Sequence, residues 1–107
     1  MSLENSIWRQ YHETLTIHDV LVRLYGCDAQ QIQEDENALY AILKRRLTKK
    51  ELRCFIMSEA GRDEAEIMDT LDVTSELFET LKRKAYRKVL QSEMRNSVTF
   101  SQNIAEL

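Results

Sequence analysis

The sequence contains no proline and only two glycines, Gly26 and Gly61. Sheet proteins need frequent tight turns, and those turns depend on glycine, proline and Asn-Gly pairs. Their scarcity argues against a β-rich fold and favours helices joined by short connections. A chain of 107 residues is long enough for one domain with a modest core. We therefore expect a single all-α domain, a small orthogonal bundle of four or five helices without a sheet.

Features of several functional classes are also missing. No stretch approaches the roughly 18 consecutive apolar residues of a membrane span, and the first ten residues lack the apolar segment of a signal peptide. No nucleophile with its base, no carboxylate pair of a catalytic cleft and no glycine-rich phosphate loop can be recognised. We expect a cytoplasmic protein that is not an enzyme and makes no membrane contact.

Metal ligands and paired thiols are not indicated either. Cys27 and Cys54 form no CxxC pair and have no neighbouring histidine, so neither a zinc site nor a disulfide framework is expected. His12 and His18 are six positions apart, which places them on different faces of a helix. With Trp8 and Tyr11 they are expected in a core or an interface, and no metal or cofactor is predicted.

The charge is distributed unevenly along the chain. The formal net charge is -3, which alone argues against a general nucleic-acid binder. Residues 1–40, however, carry seven acidic and two basic residues, a net of -5, which leaves +2 for the remaining 67 residues. Within that part the basic residues form two runs: Lys44, Arg45, Arg46, Lys49, Lys50 and Arg53, then Lys82, Arg83, Lys84, Arg87 and Lys88.

Capping signals and apolar spacing predict where the helices begin and end. Residues 7–25 form either one long helix or two helices with a break near residues 14–16, and Gly26 ends this segment. Gly61 ends a later helix. Asp28 is expected to begin a helix with Ile32, Leu39, Ile42 and Leu43 on its apolar side. Four pairs have the spacing of a capping box: Thr16 with Asp19, Asp28 with Gln31, Thr48 with Glu51, and Asp63 with Glu66.

Residues 63–89 have the lengths of a helix-turn-helix. A helix of about two turns precedes a connection at residues 72–74 and a longer helix that Thr74 or Ser75 would cap. Val73 is informative, because an exposed linker has no need for an apolar residue, whereas a turn folded over its own core does. The inner faces are expected to pack through Ile67, Leu71, Val73, Phe78 and Leu81.

A wider stretch, residues 47–90, resembles region 4 of the sigma-70 family of RNA polymerase initiation factors, and it is similar to the helix-turn-helix of response-regulator transcription factors. In the sigma-70 family the second helix enters the DNA major groove and the domain contacts the polymerase, so double-stranded DNA and RNA polymerase are the implied partners. The residues that carry the resemblance are Leu47, Thr48, Glu51, Phe55, Glu66, Ile67, Leu71, Val73, Thr74, Phe78, Leu81, Ala85 and Val89.

Two positions depart from the family pattern. Met68 stands where the family has a small residue, which implies looser packing between the two helices. Asp72 stands where the family has glycine, although Asp tolerates a left-handed backbone better than most residues. Both departures indicate a divergent member.

The resemblance implies that the helix beginning near Ser75 is a reading helix, whose outward side chains contact DNA bases in the major groove. Its outward residues are Ser75, Glu76, Leu77, Glu79, Thr80 and Arg83, with Lys82, Lys84, Arg87 and Lys88 as phosphate contacts. Arg83 is suited to guanine or phosphate. Glu76 and Glu79 could accept from a cytosine amino group, but they also repel phosphates.

The first basic run has two interpretations. It could place favourable charge at a helix C-terminus, or it could form a second phosphate-binding ridge in which Lys49 and Lys50 take part. The whole chain has an alternative as well, namely a non-catalytic protein-interaction module built on a helix-turn-helix scaffold. A surface on which the two basic runs converge would favour DNA.

We predict three segments. Residues 1–46 form acidic helices for partner docking or dimerisation, residues 47–95 form the helix-turn-helix domain, and residues 96–107 form a tail. The large apolar and aromatic residues between positions 7 and 25 make that part the predicted homodimer interface.

Overall fold

A computed structural model describes residues 6–99 and is all-α, as predicted. Seven α-helices lie in this range, so the expected number of four or five is wrong. The additional helices are short segments at the two ends, which are too brief to show a clear period. The helices are α1 Ile7–Tyr11, α2 Ile17–Tyr25, α3 Glu36–Arg46, α4 Lys49–Glu59, α5 Glu64–Leu71, α6 Ser75–Leu90 and α7 Ser92–Val98.

The first segment contains the break that was one of its two predicted forms. Thr16 caps α2 and forms the expected capping box with Asp19. The carboxylate of Glu36 adds a second cap from α3, because it accepts from the backbone N–H groups of Ile17 at 2.8 Å and His18 at 2.9 Å. Gly26 ends α2 in the left-handed conformation, with φ of 64°.

The helix predicted to start at Asp28 begins eight residues later. Residues Ala29–Gln31 form only a 3-10 turn, which the Gln31 side chain closes by accepting from the Asp28 N–H at 3.0 Å. The chain then extends, and Ile32 forms an isolated antiparallel bridge with Thr99. Asp35 caps α3 by accepting from the Ala38 N–H at 3.2 Å. These residues are extended because they pair with the chain at the end of α7.

The connections around α4 and α5 follow the predictions in part. Thr48 and Glu51 form their capping box at the start of α4. Asp63 precedes α5 but its side chain makes no cap, and Glu66 instead binds Arg62 at 3.2 Å. The expected capping box of Asp63 and Glu66 is therefore absent. Asp72 ends α5 with φ of 56°, the left-handed conformation expected of it.

Two apolar clusters form the interior. The larger one includes Trp8, Leu43, Val89, Met94 and Val98, so all three predicted segments contribute to one core. Residues 100–107 of the predicted tail lie outside the described residues, whereas α7 crosses its boundary at residue 96 and contributes Val98.

The smaller cluster lies beneath α5 and α6. It consists of Cys54, Met57, Ile67, Leu71 and Phe78, with Val73 and Leu81 packed against it. The predicted packing of Phe78 against Ile67 and Leu71 is confirmed, and Leu81 is half-buried. This cluster holds the α5–α6 pair on α4.

Candidate nucleic-acid interface

The orientation of α6 determines which side chains it presents to solvent. Thr74 caps the helix by accepting from the Leu77 N–H at 3.2 Å, and Phe78, Ala85 and Val89 are buried on one side. At 100° per residue the opposite side is occupied by a row that we call the outer stripe: Glu76, Thr80, Arg83 and Arg87. No described helix covers the two arginines of this stripe, which are exposed.

Most of the predicted reading residues lie on the exposed part of α6. Those exposed are Ser75, Glu76, Leu77, Glu79, Arg83, Lys84 and Arg87. Thr80 is half-buried and its hydroxyl donates to the Glu76 carbonyl at 3.2 Å, within the helix itself. Lys82 is also half-buried and lies 3.8 Å from Glu64 of α5. The structure thus separates Lys82 from the outward cations.

Lys88 joins the end of α6 to the start of α4. Its Nζ atom donates to Glu51 Oε1 at 2.7 Å, and the Glu51 side chain is only 5% exposed. Burial acts to raise the pKa of Glu51, but the bonds from Lys88 and from the Thr48 N–H outweigh it, so the pKa lies below its ordinary value. Lys88 is therefore a structural partner that joins α6 to α4 through a carboxylate.

Further exposed or half-buried cations lie on α4 and α6. Lys49, Lys50 and Arg53 of α4 border a depression of about 150 Å³ together with Thr70 and Leu71 at the end of α5. Lys84 lies one turn before Lys88 on the same side of α6 and is exposed. We call Lys49, Lys50, Arg53 and Lys84 the basic strip.

The position of Lys49 and Lys50 is unfavourable for folding alone. Both occupy the first turn of α4, where the helix dipole is positive and repels cations. None of the four residues of the basic strip has an ion-pair partner between residues 6 and 99. A bound anion would remove this local repulsion.

The remainder of the first basic run lies elsewhere. Lys44, Arg45 and Arg46 occupy the last turn of α3, where the dipole favours cations. Arg45 and Arg46 border a depression with Glu93, Asn96 and Ser97 of α7. The first basic run therefore does not form one continuous phosphate-binding ridge. Lys44, Arg45 and Arg46 fit the first interpretation, favourable charge at a helix C-terminus.

An exposed acidic surface adjoins this basic one. Residues 63–79 contain no basic residue and seven acidic ones, all exposed: Asp63, Glu64, Glu66, Asp69, Asp72, Glu76 and Glu79. We call this set the acidic run. Only Glu76 and Glu79 were expected to repel phosphate, although the sequence has no basic residue between Arg62 and Lys82. These carboxylates repel a phosphate backbone that approaches α5.

Three residues from different helices hold α6 in place, and sequence reasoning missed them. Glu59 of α4, whose side chain is 8% exposed, pairs with Arg23 of α2 and accepts from the Tyr86 hydroxyl of α6. Burial, together with the neighbouring Glu59 carboxylate, raises the pKa of Tyr86. No short-range pattern relates residues so far apart in the chain.

The predicted dimer segment contributes mainly to the protein's own core. Trp8, Ile17, Val20 and Leu21 are at most 1% exposed. His12 is buried, stacks on Trp8 with ring centres 4.0 Å apart, and its Nε2 lies 3.1 Å from the Ile56 carbonyl. Burial lowers its pKa. The apolar excess that suggested a dimer interface is thus accounted for within one chain.

Between residues 6 and 99, no helix is both long and apolar enough to cross a membrane. The same range holds no group of three or more histidine, cysteine or acidic side chains arranged to bind a metal ion. Comparison of the chain with protein-family models, curated proteins and solved structures gives no match. The interpretation of this surface therefore depends on its own residues.

Proposed function

We propose that the protein binds double-stranded DNA, with α6 in the major groove and the basic strip on the adjoining phosphates. The observation that carries the proposal is the exposed pair Arg83 and Arg87 on α6, on the side opposite the buried Phe78. The cations of the basic strip, which have no ion-pair partner between residues 6 and 99, add further positive charge on α4 and α6. Phosphate contacts of this kind supply most of the affinity of DNA-binding proteins.

The outer stripe is suited to the groove itself. An α-helix with its side chains is about 10–12 Å wide, which matches a major groove of about 12 Å. Arg83 and Arg87 are exposed and can reach base edges or phosphates from the second half of α6. A role in transcription, as a regulator or a sigma-like initiation protein that contacts RNA polymerase, is supported by the resemblance of residues 47–90.

The experiment compares two lysines two positions apart on the same helix. Binding of a fluorescent random-sequence duplex and of a promoter-like duplex is followed by anisotropy over a range of salt concentrations. Lys84→Ala should weaken binding to both duplexes and reduce the salt slope by about 0.9, the value for one phosphate contact. Lys82→Ala is the matched control, because Lys82 already pairs with Glu64, and it should change the slope little.

Arg83→Ala should behave differently from Lys84→Ala. If Arg83 contacts a base edge, its loss costs about 1–3 kcal/mol at the preferred site and less elsewhere. The proposal fails if no duplex binds at low salt, or if binding is unaffected by both Lys84→Ala and Arg83→Ala.

The acidic run favours a second candidate function, a non-catalytic protein-interaction module that binds a basic partner. Glu76→Gln with Glu79→Gln distinguishes the two functions. If the protein binds DNA and these carboxylates only repel phosphate, the double variant binds every duplex more tightly; if Glu76 accepts from cytosine, the variant loses sequence preference instead. If neither wild type nor variant binds any duplex at low salt, the interaction function replaces DNA binding.

A further inference from the structure

The first two turns of α6 present an unusual set of side chains to solvent. They are Ser75, Glu76, Leu77, Glu79 and Thr80, none of which is a cation or an amide. The Thr80 hydroxyl already donates to the Glu76 carbonyl. An arginine contacts guanine through two donors, and an asparagine contacts adenine through a donor and an acceptor. No side chain in this set can make either contact.

Leu77 is the apolar member of this set. Its exposed fraction is 44%, whereas the next residue, Phe78, is 1% exposed. It lies seven positions before Lys84, two helical turns, and so on the same side of α6 as Lys84. A helix whose Lys84 contacts a phosphate would hold Leu77 about 10 Å further along the same wall of the groove.

The major groove offers one apolar group to such a side chain, the 5-methyl group of thymine. We infer that Leu77 packs against a thymine methyl group and that thymine at this position determines part of the DNA sequence preference. This inference rests on the proposed function, since it requires α6 to lie in the major groove. It names a base contact that the charged residues of α6 do not supply.

The test removes the methyl group without changing the base pairing. The tightest-binding duplex is first selected from a random-sequence pool, and each thymine in it is then replaced in turn by uracil. At one position the wild-type protein should bind about fourfold more weakly, the effect of losing one buried methyl group. Leu77→Ala should bind the thymine and uracil duplexes equally. In a duplex with cytosine at that position, 5-methylcytosine should restore part of the wild-type affinity.

Leu90→Ala is the matched control, because Leu90 is a similarly exposed leucine, at 49%, in the last turn of the same helix. It should keep the full difference between thymine and uracil. If the wild type binds DNA but no thymine position responds, or if Leu77→Ala keeps the response, the inference is wrong and DNA binding stands. If no duplex binds at all, both the inference and the proposed function are wrong.

Discussion

The face that α6 presents to solvent depends on the burial of Phe78, and truncating this side chain tests that orientation. Phe78 is 1% exposed and belongs to the small cluster that joins α5 and α6 to α4. A buried phenylalanine replaced by alanine costs about 3–5 kcal/mol. A domain of this size is stable by about 5–15 kcal/mol, so the loss is a large fraction of the total.

The assay is urea unfolding followed by far-ultraviolet circular dichroism. Phe78→Ala should strongly lower the urea concentration at the unfolding midpoint. In thermal unfolding, each lost kcal/mol should lower Tm by roughly 4–8 °C. The control is the neighbouring Leu77→Ala, which should stay within about 0.5 kcal/mol of wild type because Leu77 is 44% exposed. A loss below about 1 kcal/mol for Phe78→Ala, or a larger loss for Leu77→Ala, would mean that α6 is rotated and the outer stripe is misassigned.

Three further measurements test the charged core and the assembly. Lys88→Met should cost about 1–3 kcal/mol by removing the ion-pair partner of the buried Glu51 carboxylate. Because the folded pKa of Glu51 is lowered, wild-type stability should fall as the pH drops below 4.5, its ordinary pKa, and the variant should lose most of this dependence. The pKa of His12 is also lowered in the folded protein, so the unfolded protein binds a proton at this residue at a higher pH than the folded protein does. Stability should therefore fall as the pH drops below 6.5, and His12→Asn should remove this dependence. Light scattering at micromolar concentration tests the predicted homodimer through residues 7–25, and a mass of 12.6 kDa, that of one chain, would contradict it.

Local signals predicted the helix starts where no distant residue competes. Thr16 and Thr48 form capping boxes within one turn, and such bonds depend only on neighbouring residues. The start of α3 could not be found this way, because the Gln33 N–H donates to the Val98 carbonyl at 3.0 Å, 65 residues further along the chain. That contact keeps the chain extended where periodicity predicts a helix.

In the candidate site, too, local features were predictable from the sequence and contacts between distant residues were not. The exposure of Glu76, Arg83 and Arg87 follows from the 3.6-residue period of α6 and was predictable. The roles of Lys82 and Lys88 were not, because their carboxylate partners lie on α5 and α4. A lysine on a helix surface has the same local pattern whether its partner is a phosphate, water or a carboxylate from another helix.

The juxtaposition of the basic strip and the acidic run restricts how DNA can approach. Both surfaces lie on α4, α5 and α6, so phosphates attracted by Lys49 and Lys84 are repelled by carboxylates on α5. Of the two halves of α6, the second, with Arg83 and Arg87, has the charge for backbone contact. On the proposed function, an approach that seats the second half of α6 on phosphates, with the carboxylates of α5 turned away, satisfies both constraints. Because the acidic run extends to Glu79, the first turns of α6 can add specificity but little affinity.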